Sequence, residues 1–219
     1  MRQRRPVLSA LQRLPPPLAE FVLEPPVAPS IWPRRLFHMA VGACIPLAAL
    51  FLPGSLVLWG LITLSVLGVL AEVGRLLLPP LNDLLLRYLP FFKPSERQLV
   101  TGATFMLLSA TGVYLLFEKE VAVLALTFLV VGDPAAAIIG SRAHRGRLFG
   151  KSLAGTAAFL VAAGAAALLI TLHPAVPLAW WLLPGLVAAA IAELLPIPLD
   201  DNVTVPLAAA GTMQFLAMA

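Results

Sequence analysis

The sequence predicts an all-α, polytopic membrane bundle of about seven transmembrane helices with a cytosolic N-terminus. Three observations lead there. Of the 219 residues, 60% are hydrophobic and 12% charged, with a mean hydropathy of +0.93, far more apolar than a soluble domain of this length. The apolar residues form continuous runs near spanning length rather than an alternation, which favours helices over a membrane β-barrel. The cations gather in alternate loops, as the positive-inside rule requires.

Residues 1–33 are rich in Arg and Pro, with Arg2, Arg4, Arg5 and Arg13 ahead of Pro15, Pro16 and Pro17. No apolar stretch follows the arginines as in a secretory leader, and Glu20 and Glu24 count against an organelle transit peptide. A short cytosolic tail is expected, with a membrane domain over 34–219. Spanning helices are expected at Leu36–Leu52, Ser55–Val73, Leu99–Phe117, Val121–Gly140, Ala154–Leu172, Leu178–Glu193 and Val203–Met218. Pro46, Pro184 and Pro206 interrupt the first, sixth and seventh. Such breaks are tolerated where neighbouring helices or water satisfy the freed backbone.

With the N-terminus inside, the inner segments carry Arg2, Arg4, Arg5, Arg13, Arg34 and Arg35, then Arg75, Arg87, Lys93 and Arg97, then Arg142, Arg145, Arg147 and Lys151. Of the 15 cations only Lys119 falls outside. This bias accounts for the net charge of +4 and the isoelectric point near 9.8 without a nucleic-acid partner. The single Cys44 excludes an intrachain disulfide, and His38, His144 and His173 lack metal-ligand spacing.

The same topology sorts the acids. Glu72, Glu96, Asp133, Glu193, Asp200 and Asp201 all fall at or near inner helix ends. In GDPAAAIIG (132–140), Asp133 lies seven residues, roughly 10 Å, from Gly140 at 1.5 Å per residue, too deep to snorkel easily. An intramembrane acid is functional by default, against the plain reading of a small-residue packing face. RGRLFGKS (145–152) is not a Walker A loop, because Arg145 stands where its first glycine belongs. Its glycines, Gly150 among them, can expose backbone N–H groups to phosphate, and Lys151 adds a point charge. Ser152 and Gly155 lead into the next helix, whose N-terminus favours anions. The plain alternative is membrane anchoring plus a helix cap. In LPIPLDDN (195–202), Asp200, Asp201 and Asn202 offer hard oxygen ligands for Mg²⁺, or acids opening and complementing a helix N-terminus with Asp201 or Asn202 as its cap. Ser95 and Gln98 have capping-box spacing, with Thr101 and Gly102 one turn on. Arg35, His38 and Gly42 share one helix face, as do Ser65, Gly68, Glu72 and Arg75.

In that order the stretches resemble the CTP-dependent lipid-alcohol kinases, a family comprising dolichol kinase, phytol kinase and the yeast-type CTP-dependent diacylglycerol kinase. The resemblance covers roughly residues 34–212. It rests on Arg34, Arg35, His38 and Gly42; Glu96 with Thr101, Gly102 and Ala103; Gly132, Asp133, Ala136 and Gly140; Lys151, Ser152 and Gly155; and Glu193, Asp200, Asp201 and Asn202 with Pro206. Many members carry Glu immediately before the glycine of the Lys-Ser motif. Here it is Ala154, as in phytol kinases, which adds weight to phytol or a related prenol.

The resemblance implies phosphorylation of a lipid alcohol by CTP; the loop charges put the site at the cytosolic face, with a bacterial plasma membrane as the expected location and Mg²⁺ as the expected ion. The resemblance supplies CTP; the residues themselves indicate only phosphate and a metal ion. Asp133, Asp201 and Lys151 are the expected catalytic residues. Arg142, Arg145, Lys151, Ser152, Gly150 and Gly155 are expected on the nucleotide, and Asp133, Asp200, Asp201 and Asn202 on the metal. Arg35, His38, Glu72, Glu96, Thr101 and Glu193 are expected to support them. A CTP-using phosphatidate cytidylyltransferase and a small-molecule transporter coupled through Asp133 are the alternatives. No inverted repeat favours the transporter. Neither the particular alcohol nor an oligomeric state follows from the residues.

Overall fold

A computed structural model describes residues 31–88, 94–143 and 145–219. The Arg/Pro-rich segment 1–30, Lys93 and His144 lie outside the described residues. The fold is all-helical except for one small hairpin, and its compact unit runs from Pro33 to Ala219. The helices are α1 (Ile31–Phe51), α2 (Gly54–Leu77), α3 (Pro79–Tyr88), α4 (Gly102–Leu116), α5 (Lys119–Thr127), α6 (Asp133–Arg142), α7 (Leu153–Ile170), α8 (Leu182–Leu194) and α9 (Asp201–Ala217). A π-helical turn, Phe128–Gly132, joins α5 to α6, so Lys119–Arg142 is one continuous helix.

Three of these helices are long and apolar enough to cross a membrane: Gly54–Leu77, Lys119–Arg142 and Leu153–Ile170. Their surroundings differ. The apolar window of Lys119–Arg142 is 67% buried by protein, against 22% for each of the other two. A helix apolar on every side belongs in the interior, and Val121, Ala122, Val123, Leu124, Ala125, Phe128 and Leu129 are enclosed accordingly. Around this axis α4 packs on α2 and α9, α8 on α9 and α7, and α7 on α6 and the π turn. The outer faces carry Leu, Val, Ile and Trp open to the surroundings, such as Trp59, Leu70, Val161 and Leu169. That distribution suits lipid.

The wide turn has a local cause. Pro134 has no N–H, and in a regular α-helix its ring would crowd the Val130 carbonyl four residues back. A π turn immediately before it opens that space.

Other boundaries also depart from the expected ones. The loop expected at 74–98 contains α3 and a one-turn 3₁₀ helix, Pro94–Arg97. Ser95 lies inside that turn, so the Ser95/Gln98 capping box does not start α4. Thr101 does, its hydroxyl accepting from the Thr104 N–H at 3.4 Å. The sixth expected span begins at Leu182 rather than Leu178, because residues 171–181 are spent on turns. The 13 residues of α8 give roughly 20 Å at 1.5 Å per residue. It joins Gly102–Leu116 among the shorter apolar helices.

Where α6 crosses α7, small residues set the distance. A Cβ on Gly155 would stand 2.8 Å from the Ala136 carbonyl oxygen and 3.3 Å from Gly140 Cα. The obstruction is backbone, which cannot swing aside, so Gly155→Ala should destabilise the fold by about 1–3 kcal/mol. Thermal melting in detergent tests this; an unchanged midpoint would mean the helices separate freely.

Two ends of the bundle are distinguishable. At one, Phe51 meets His173 edge-on at 5.3 Å, Lys119 Nζ donates to the Leu52 carbonyl, and the Glu118 N–H donates to Gln214 Oε1. The short loops around 53, 118 and 173 therefore meet there. The other end gathers most of the acids and cations singled out above.

Candidate functional site

The basic loop is a β-hairpin. Arg147–Leu148 (β1) pairs with Lys151–Ser152 (β2), Arg147 opposite Ser152 and Leu148 opposite Lys151. The two turn residues, Phe149 and Gly150, both have positive φ, 53° and 85°. Two such residues make the tight turn whose twist matches the strands. Gly150 suits the conformation; Phe149 is an unusual occupant of it. Arg147 fastens the turn by donating to the carbonyls of Gly150 and Ala143.

The hairpin delivers Lys151 to the ends of two helices. Its Nζ donates to the Glu193 backbone carbonyl at the C-terminus of α8, and to Asp201 Oδ2 at 2.9 Å in the first turn of α9. Glu193 Oε1 stands 3.5 Å away. Each helix end favours the charge it holds, a cation at the C-terminus of α8 and acids at the N-terminus of α9. Burial works against the ammonium, but the hydrogen bond and charge of Asp201, with Glu193, outweigh it and raise the lysine above its usual pKa. Glu193 is buried, and its Oε2 has no hydrogen-bond partner. An orphaned buried carboxylate oxygen is costly.

Asp133 joins the group from the central helix. It interacts electrostatically with His38, Asp201, Lys151 and Arg35, and also with Glu193. Lys151, Glu193 and Asp201 meet directly, from the hairpin, α8 and α9, while Asp133 on the central helix stands in electrostatic range of them and of Arg35 and His38 on α1.

Other singled-out residues have defined tasks beside it. Asp200 is the N-cap of α9; its Oδ1 accepts from the Asn202 backbone N–H at 2.9 Å and from the Asn202 side-chain amide at 2.6 Å. Ser152 caps α7 by accepting from the Gly155 N–H at 2.9 Å. That bond and the crossing with α6 occupy Gly155, and Gly150 occupies the hairpin turn. Arg142 and Arg145 are exposed at the edge of the loop.

A second buried network stands beside the first. Arg75, 2% exposed, donates to Glu72 Oε1, Asn82 Oδ1 and the carbonyls of Glu96 and Leu99. Glu72 Oε2 also accepts from the hydroxyls of Thr101 and Thr104. Asn82 donates to the Arg97 carbonyl, and Glu96 Oε1 accepts from the Gly102 N–H. Gly102 in turn lies against the Asn202 amide, which would be 3.2 Å from a Cβ placed there. Glu72, Glu96 and Thr101 therefore brace the segment that packs on the start of α9.

Comparison of the chain with protein-family models, with curated proteins and with solved structures finds no match in any of the three.

Sequence reasoning placed Arg75 as an inner-loop cation sharing a helix face with Ser65, Gly68 and Glu72, counted Arg147 as an inner-loop cation only, and gave Asn82 no role. The Glu72/Arg75 spacing of three was the available signal, since such pairs meet on a helix. Nothing in the sequence shows that Arg75 also binds two loop carbonyls.

Among the described residues, no three His, Cys, Asp or Glu side chains lie together in metal-ligating geometry. Mg²⁺ nevertheless suits this donor set. It takes hard oxygens and needs only one or two protein carboxylates, drawing its other ligands from water and phosphate. The orphaned Glu193 Oε2 is a buried oxygen whose partner such a cation can supply.

Proposed function

We propose that this protein is an integral-membrane, CTP-dependent kinase that phosphorylates a lipid alcohol, of the phytol or prenol, dolichol or diacylglycerol type. In this reading it crosses a bacterial plasma membrane about seven times, and its N-terminus and site face the cytosol. The observation that carries the reading is Lys151, delivered by a hairpin to Glu193 and Asp201 on two separate helices beside the intramembrane Asp133. Opposed charges convergent at one end of a lipid-facing bundle suit a reaction between a triphosphate and a membrane-embedded hydroxyl. The identity of the donor as CTP comes from the family resemblance.

Phosphoryl transfer asks for positioning and charge neutralisation more than covalent chemistry. Lys151 turns its ammonium to the terminal phosphates, with Arg142 and Arg145 at the loop edge. Asp133 and Asp201 would hold Mg²⁺ bound with the nucleotide, and it would supply further neutralisation of the phosphates. Asp200 and Asn202, tied together in the helix cap, orient Asp201. The alcohol oxygen forms a bond to the γ-phosphorus as the bond to the β–γ bridging oxygen breaks, giving a lipid phosphate and CDP. The hydroxyl proton passes to a carboxylate of the cluster. The hydrocarbon tail lies among the outward apolar side chains.

Incubating purified protein with γ-labelled CTP and a panel of lipid alcohols tests the reading. Label should appear in an organic-soluble phosphate. Label released as pyrophosphate would identify a cytidylyltransferase, and solute uptake by proteoliposomes without nucleotide consumption would identify a transporter. Lys151→Ala should raise KM for CTP by about tenfold with a smaller change in kcat, because a point charge on phosphate acts in ground and transition states alike. An unchanged KM would remove Lys151 from the nucleotide site.

A further inference from the structure

The acid cluster already contains a cation, and the chain supplies it. Lys151 Nζ lies 2.9 Å from Asp201 Oδ2 and 3.5 Å from Glu193 Oε1, and also donates to the Glu193 carbonyl. Its side chain is 30% exposed, so it is reached from outside, whereas that of Glu193 is 9% exposed. One ammonium does not satisfy the group. Glu193 Oε2 remains without a partner, and Asp133 adds a third carboxylate in electrostatic range.

A flexible lysine stem can withdraw, because the hydrogen bonds and ion pairs of its side chain are made by the head group. The hairpin behind it is fixed by the Arg147 bonds and by the Leu153 N–H, which donates to the Gly146 carbonyl at 2.9 Å. Movement of the ammonium therefore requires no movement of the backbone.

We infer that Lys151 is a resident counter-cation. It occupies the space between Asp201 and Glu193 while the site is free of nucleotide, and yields it to a divalent cation that arrives with phosphate. The ammonium then follows the phosphate charge, and the carboxylate oxygens it frees, with the unpartnered Glu193 Oε2, turn to the incoming ion. Free divalent cation binds poorly, because it must compete with a tethered charge already in place. No covalent bond changes in this exchange. It rests on the kinase reading only for what the incoming phosphate belongs to.

Mn²⁺ binding to the purified full chain, measured by electron paramagnetic resonance without nucleotide, tests the inference. Wild type should bind weakly. Lys151→Met should bind Mn²⁺ at least about tenfold more tightly, since the carboxylates lose their counter-charge. Lys151→Arg should behave as wild type, and adding Glu193→Gln to Lys151→Met should abolish the gain. Equal Mn²⁺ affinity in Lys151→Met and wild type, or a gain that survives Glu193→Gln, would overturn the inference. A second measurement stands if Lys151→Met does not fold. Acylation of Lys151 by an amine-reactive ester, read by peptide mass spectrometry, should accelerate about tenfold in Asp201→Asn; an unchanged rate would also overturn it. If wild type fails to transfer label from CTP while the Mn²⁺ and acylation results hold, the kinase reading alone falls. Transfer of label without those results would leave the kinase reading and remove the counter-cation.

Discussion

Asp133→Asn should lower turnover about 10²–10³-fold while leaving the fold at least as stable as wild type. The carboxylate projects from the most enclosed helix of the bundle, and Lys151, Asp201, Glu193, His38 and Arg35 all act on it electrostatically. Removing one preorganised group that acts on charge developing in a transition state typically has an effect of that size, roughly 3–4 kcal/mol. Asn has nearly the same shape, so packing is preserved, and loss of a charge from a membrane helix is neutral or favourable. Paired measurements of kcat and thermal midpoint on the same preparation decide the matter. Full turnover in a well-folded Asn variant would make Asp133 a packing residue and take the site away from the central helix.

Arg75→Met should be among the most destabilising single changes, by about 3–5 kcal/mol, because breaking a buried ion pair strands its partner. The stranded group is Glu72, 7% exposed, left with only Thr101 and Thr104 as neutral donors. Asn82 Oδ1 and the carbonyls of Glu96 and Leu99 lose their donor as well. The double change Glu72→Gln with Arg75→Met should recover much of the loss, since uncompensated charge rather than missing volume dominates. Thermal or denaturant unfolding of the four proteins in detergent measures the coupling. A single variant within 0.5 kcal/mol of wild type, or a double variant no better than the single, would show the network to be incidental.

The helical class and most of the element positions were legible because membrane helices must satisfy their own backbone and are therefore long and apolar. Loop charges are enough to gather Lys151, Glu193 and Asp201 at one end, and the structure places them within reach of one another. The turn 195–200 was also read correctly as the entry to α9, but Asp200 rather than Asp201 or Asn202 caps it. A cap is decided by a single φ/ψ pair, and neighbouring Asp and Asn residues compete equally well for it. The small residues 136, 140 and 155 read two ways in the sequence; the close α6–α7 crossing shows the packing task of Gly155. The hairpin was missed because its strands are two residues each and its turn uses Phe149 where Gly or Asn is usual. Helix α3 was missed because two prolines open it, a pattern that suits a first helical turn as well as a loop.

The π turn at Phe128–Gly132 has a consequence for how the chain can change over generations. Such a turn is what a helix becomes when it absorbs one additional residue without breaking. Each residue advances an α-helix by about 100°. Deleting a single residue between 128 and 131 would close the wide turn to an α-helical one and bring the Pro134 ring against the carbonyl four residues back. Inserting another there would turn Asp133 away from Lys151 and Asp201 by about 100°, and the face presented to Gly155 with it. Substitutions in the stretch ahead of Asp133 are confined by packing, but its length is confined by chemistry. Sequences sharing this arrangement should vary in residue type at 128–131 far more readily than in residue number.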